Sequence, residues 1–206
     1  MFTSRNLQNT LLNLGLSPDE SLFTQLEAAY TEKTRYYHTG RHISQCLRQF
    51  QKIQDLAVFP HEIEFSIWFH DVIYDTHRAD NEEKSAAIAV DYLKQHQPGS
   101  DIVHRIEDMI VATKTHNPST PDCALLIDVD LSILGTKPET FEYFDSQIRK
   151  EYEWVPDADF RQGRIAVLKS FLDRASIFHT EYFCHKYEKQ AKQNLLRKIN
   201  ELTTQY

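Results

Sequence analysis

The chain has 206 residues, 41% of them apolar and 26% charged, with 30 acidic side chains against 23 lysines and arginines and a formal charge of −7. Those proportions fit an ordinary globular protein with room for one sizeable domain, and the acidic balance argues against a nucleic-acid duplex or an anionic membrane surface as partner while leaving room for a local basic pocket. Five glycines and seven prolines are too few for a turn-rich all-β fold, and no stretch approaches the roughly 20 apolar residues of a membrane span.

The opening "MFTSRNLQNTLLNLG" has no basic segment followed by a long apolar run, so it does not read as a secretory signal. Cys46, Cys123 and Cys184 are odd in number and far apart, which fits neither a disulfide framework nor a CxxC metal site. A reducing cytoplasm is the expected location.

The elements that follow are helical nearly throughout. Residues 19–30 place Leu22, Phe23, Leu26 and Tyr30 on one face after Pro18 and Asp19, a helix start. Residues 39–56 carry a stripe of His42, Ile43, Cys46, Leu47 and Phe50. Pro60 opens a helix expected over 61–74, whose Ile63, Phe65, Ile67, Trp68, Phe69, Val72 and Ile73 leave almost no polar face, so it belongs at the centre of the fold. "DNEEKSAAIAVDYL" begins another, with Asp80 and Glu83 spaced as in a capping box and Asn81 as the rival cap. Further helices are expected over 100–114, 123–134, 138–152, 159–174 and 180–202, with "HNPSTPD" (116–122) a loop. The segment 123–134 could be a buried strand by periodicity alone, and the helical context decides it. The expectation is one all-α domain over 1–206, its core about 20–175 and its last helix about 180–202.

Within this pattern His42, the adjacent His70 and Asp71, and an acidic residue of "LLIDVDLSIL" stand among apolar neighbours. Buried carboxylates are rare unless paired or metal-bound. Each of these residues alone has an ordinary structural explanation. Together, two imidazoles and two carboxylates from three helices are accounted for by one divalent cation, and the donor set accepts Mn, Fe, Ni, Zn, Co or Mg. Asp128 and Asp130 both remain possible as the last ligand.

"RHI" with His42, "FHD" with His70 and Asp71, and "VDLSILG" with Asp130 resemble the H…HD…D signature of the HD-domain metal-dependent phosphohydrolases. "YHTGRHI", "WFHDVIYD", "NEEKSA", "IVATKTH", "DVDLSILG", "IRKEYEWV" and "AKQNL", spread over 36–195, are similar to one subfamily of predicted HD phosphohydrolases. The resemblance implies a single HD-domain-like helical bundle with a divalent metal held by His42, His70, Asp71 and Asp130, leaving Asp128 to support or cap. One departure is clear: HD hydrolases of guanosine polyphosphates carry Glu-Asp where this chain has Tyr74-Asp75.

The reaction this implies is hydrolysis of a phosphate ester or anhydride by a metal-activated water. Asp71 and Asp75 are candidates to take the proton, ahead of Glu82 and Glu83. His38 and His116 are candidates at the catalytic mouth, and Lys114 and Arg149, ahead of Arg164, for the phosphate. Tyr36, Tyr37, Trp68, Tyr74 and Trp154 could stack on a base, which makes a nucleotide a plausible small phosphorylated substrate. Alternative readings are a metal-binding sensor without turnover and a diiron HD-type oxygenase, for which His104 and His116 would be extra ligands.

Overall fold

The computed structural model describes residues 1–97 and 99–204. Its described residues form helices and connecting segments with no strand, so the all-α expectation holds. They are α1 (Ser4–Asn13), α2 (Glu20–Tyr30), α3 (Gly40–Phe50), α4 (Pro60–Phe69), α5 (Asn81–His96), α6 (Ser100–Ala112), α7 (Pro121–Leu131), α8 (Pro138–Glu151), α9 (Asp157–Leu172) and α10 (Glu181–Thr204), with 3₁₀ turns at Gln54–Leu56 and Ser132–Gly135. The chain divides into two compact units, Met1–Val129 and Asp130–Tyr206.

In the first unit α4 is the hub, packed against α1, α3, α5 and α6. Its Ile63, Phe65, Ile67, Trp68 and Phe69 are completely buried, as expected of a helix with almost no polar face. Trp68 donates its indole N–H to Thr10 Oγ1 at 3.1 Å, and Tyr30 donates its hydroxyl to the Trp68 carbonyl at 2.9 Å. α1 and α2 thus satisfy the Trp68 indole and carbonyl, and the buried Glu62 of the same helix pairs with Arg105 of α6 at 2.6 Å.

Several helix ends differ from the sequence expectation. α1 is an element beyond those predicted; Thr3 caps it and it buries Leu7, Thr10 and Leu11. α3 stops at Phe50, because Lys52 and Ile53 bond three residues back and tighten the chain into a turn. α4 stops at Phe69 rather than Tyr74, with His70 in the C-cap position, so the His70-Asp71 pair stands at a helix end and not inside one. The capping box at α5 does not form. Asp80 occupies the cap but binds Arg78 through both carboxylate oxygens at 2.8 Å, and Glu83 pairs with Lys114. The Asn81 amide instead closes the preceding loop, accepting from the Asp75 N–H and donating to the Asp75 carbonyl.

In the second unit α10 packs on the 3₁₀ turn Ser132–Gly135 and on α9, while α8 lies against the same turn. The completely buried Asn194 donates to the carbonyls of Leu134 and Thr136, both at 2.8 Å, and so satisfies the end of that turn. Arg164 pairs with Asp145 at 2.8 Å, and Glu142 receives Arg197 and Lys198. Among the described residues no helix is long and apolar enough to cross a membrane.

Candidate metal centre

Thr39 caps α3 through its side chain, and His42 follows in the first turn, 2% exposed. His70 is also 2% exposed, and the Asp71 side chain keeps 17% of its surface at the opening. Three donor atoms meet there. His42 Nε2 lies 3.2 Å from His70 Nε2, Asp71 Oδ2 is 3.1 Å from His70 Nε2, and the same oxygen is 3.4 Å from His42 Nε2.

The His70 tautomer follows from its other nitrogen. Nδ1 is 3.0 Å from the Ile67 carbonyl, which can only accept, so Nδ1 carries the proton. In the neutral ring Nε2 then presents a lone pair toward a carboxylate oxygen and a second imidazole. Two acceptors face each other there, so the cluster needs a hydrogen donated by His42 Nε2, an added proton or a cation among the three atoms.

The spacing suits a cation. Metal–donor bonds of about 2.0–2.2 Å place neighbouring donors about 2.8–3.6 Å apart at octahedral to tetrahedral angles. All three edges of the triangle fall in that interval. The second support a metal-binding imidazole needs is present as well, since the Ile67 carbonyl orients His70. Burial works to raise the Asp71 pKa, but the positive charge that His70 and His38 carry when protonated, with the hydrogen bonds that His42 and a protonated His70 donate, holds it well below the usual carboxylate range.

Around the triangle, the His38 ring stacks on Tyr74 with centroids 3.9 Å apart and stands 5.8 Å from the His42 ring. Tyr37 packs on His42 at 4.8 Å. The structure thus brings together His38, His42, His70 and Asp71.

Asp75, His116, Lys114 and Arg149 stand in other settings. The Asp75 carboxylate accepts from the His77 N–H at 2.9 Å and lies 3.0 Å from His77 Nδ1, a turn-closing arrangement. His116 lies in the turn after α6 in a left-handed backbone conformation (φ 52°), its N–H donating to the Ala112 carbonyl. Lys114 donates to the Ala79 carbonyl and pairs with Glu83. Arg149 donates to the carbonyls of Tyr152 and Val155 and pairs with Asp157 at 2.6 Å. In α7, Asp128 is completely buried, and Asp130 is half-buried in the last turn.

Two neighbours of the triangle were not singled out by the sequence. Cys46, one helical turn after His42 and 2% exposed, sets its sulfur 3.7 Å from His42 Nε2 and 3.8 Å from Nδ1, over the ring face. Its i, i+4 spacing from His42 was the available signal. Arg35 is 5% exposed and donates to the carbonyls of Asp71 and Val72; nothing local in the sequence distinguishes it from a surface arginine. Comparison with protein-family models, curated proteins and solved structures gives no match to this chain.

Proposed function

We propose that this protein is a metal-dependent phosphohydrolase that cleaves a phosphate ester or anhydride of a small substrate, a nucleotide being a class that Tyr37 and Tyr74 beside the triangle suit. The observation that carries the reading is the His42–His70–Asp71 triangle, three donors from two segments with edges of 3.1, 3.2 and 3.4 Å. The H…HD…D resemblance of the sequence supplies the chemistry, and it adds Asp130 in the last turn of α7 as a fourth ligand.

A divalent cation held by these residues would supply Lewis acidity and would acidify a water at the site. The protein's own residues do the rest. His70 is held in one tautomer by the Ile67 carbonyl, so its Nε2 lone pair is aimed before any ligand arrives. Asp71 brings the negative charge that a divalent cation needs beside two neutral imidazoles. His38, held flat against Tyr74 beside the triangle, is the group placed to move a proton at an imidazole nitrogen. The carboxylate of Asp75 is engaged by His77 and is the weaker choice of base.

The test is elemental analysis of untagged protein together with phosphate release from an aryl phosphate and a nucleotide panel in the presence of Mn²⁺, Ni²⁺ or Co²⁺. Stoichiometric metal and turnover, both lost in His70→Ala and Asp71→Ala, are the expected results. Bound metal without turnover across the whole panel would instead mark a sensor, and absence of metal uptake would end the reading. Asp128→Asn beside Asp130→Asn separates the two carboxylates of α7: the ligand is the one whose loss weakens metal uptake.

A further inference from the structure

We infer that Arg35 is the positioning residue of the candidate centre, tying together the two backbone segments that carry its donors. The inference rests on reading the triangle as a metal centre.

A buried guanidinium is costly unless its donors are matched. Arg35, with only 1% of its side chain exposed, is matched almost entirely by backbone. Nη1 donates to the Asp71 carbonyl at 2.6 Å and to the His38 carbonyl at 3.3 Å, and Nη2 donates to the Val72 carbonyl at 2.8 Å. Nε is paired with Glu32 at 2.9 Å. The cation also lies 5.3 Å from the Tyr30 ring and 5.7 Å from the Tyr74 ring, within range of favourable contact with both.

The placement of those carbonyls matters more than their number. α4 ends at Phe69, and the carbonyls after a helix end need partners. A lysine, a water or a polar side chain could satisfy one of them. A planar fork that takes two successive carbonyls fixes the peptide between residues 71 and 72, and with it the direction in which Asp71 leaves the backbone. The same guanidinium holds the carbonyl of His38, one residue before the Thr39 cap that starts α3 and four before His42. One side chain therefore sets the spacing between the segment bearing His42 and the segment bearing Asp71. Outer partners of this kind typically change metal affinity about 10–100-fold when removed.

The experiment compares wild type, Arg35→Lys, Glu32→Ala and Leu93→Ala. The lysine keeps the charge but cannot span three carbonyls. Glu32 is exposed, so its loss loosens the guanidinium without threatening the fold. Leu93 is a completely buried residue of α5, and its truncation destabilises the same unit by a cavity. Two readouts are taken: Co²⁺ affinity from the visible absorption of the bound ion, and the imidazole ¹⁵N shifts of His42 and His70 in metal-free protein. Arg35→Lys is expected to weaken Co²⁺ binding about 10–100-fold and to displace the His42 and His70 shifts, with Glu32→Ala moving both readouts less and in the same direction. Leu93→Ala lowers the melting temperature and leaves both readouts at their wild-type values. Wild-type imidazole shifts in Arg35→Lys, or in Glu32→Ala should the lysine variant fail to fold, would overturn the inference and leave Arg35 as a helix-end fastener. Failure of wild-type protein to bind Co²⁺ would overturn the phosphohydrolase reading, while the metal-free shifts would still decide the role of Arg35.

Discussion

The imidazole of residue 70 commits Nδ1 to the Ile67 carbonyl and leaves Nε2 facing a carboxylate and another ring. A second carboxylate, Glu188 in the other unit, shows the same economy of placement. It accepts the backbone N–H of Ile177 through both oxygens at 3.1 Å and that of Phe178 at 3.2 Å, and it pairs with Lys192 at 2.9 Å. Burial raises its pKa, but Lys192, these two N–H groups and Ser176 outweigh the burial and lower it. A depressed folded value means that the stabilisation is fully present above the unfolded glutamate pKa of about 4.3 and is lost as pH falls through the folded value. Glu188→Gln should therefore cost about 1–2 kcal/mol at neutral pH, the scale of charge-assisted hydrogen bonds weakened to neutral ones. Urea unfolding at a series of pH values should show that difference shrinking below about pH 4; a pH-independent difference would mean that the charge is immaterial. Neither Glu188 nor Arg35 is visible in the sequence, because each acts on backbone groups distant along the chain. His42, His70 and Asp71 were visible, because a charged or titratable residue inside an apolar run is conspicuous wherever the run folds.

Helix interiors were legible for the same reason that helix ends were not. The stripe through α3 and the dense apolar run of α4 extend over whole turns, whereas the stop at Phe69 depends on which partners the following carbonyls find. Close approach between elements is equally invisible, and two glycines make it testable. A Cβ on Gly40, the first residue of α3, would come within 2.6 Å of the Phe2 ring, which is itself packed by Phe23, Tyr30 and Trp68. Alanine there gains about 1 kcal/mol of helix propensity against about 1–3 kcal/mol for overpacking. Gly40→Ala is therefore expected to be mildly destabilising, and Phe2→Leu in the same chain should relieve it. Gly135 meets something less forgiving: its Cβ would fall 2.5 Å from Tyr187 Cβ and 2.7 Å from the Tyr187 carbonyl oxygen on α10. A backbone cannot swing aside as a ring can, so Gly135→Ala should cost more than Gly40→Ala in denaturant unfolding. The reverse order would show that α10 gives way more easily than the aromatic cluster.

At the scale of the molecule, the division into two compact units and the location of the chain's two tryptophans offer a direct reading of where a ligand acts. Trp68 is completely buried in the first unit, directly before the segment that carries His70, and Trp154 is half exposed in the second. Trp154→Phe leaves Trp68 as the sole indole, so the emission of that variant follows unfolding of the first unit. A ligand that binds only the folded state adds RT ln(1 + [L]/Kd), about 2.7 kcal/mol at a hundredfold excess over Kd. For a unit of this size that is a rise in melting temperature on the order of 10 °C. Mn²⁺ or Co²⁺ added to the chelator-treated Trp154→Phe protein should raise the Trp68-reported transition by that order, and His70→Ala in the same background should abolish the rise while changing the metal-free transition much less. Acidification should diminish the rise, since protons compete with the metal for imidazole nitrogens and carboxylate oxygens. Mg²⁺ at equal concentration should produce a smaller rise, because two of the three donors in the triangle are imidazole nitrogens and Mg²⁺ prefers oxygen. A rise that survives in His70→Ala would place the binding elsewhere, and with it the assignment of the triangle would fall.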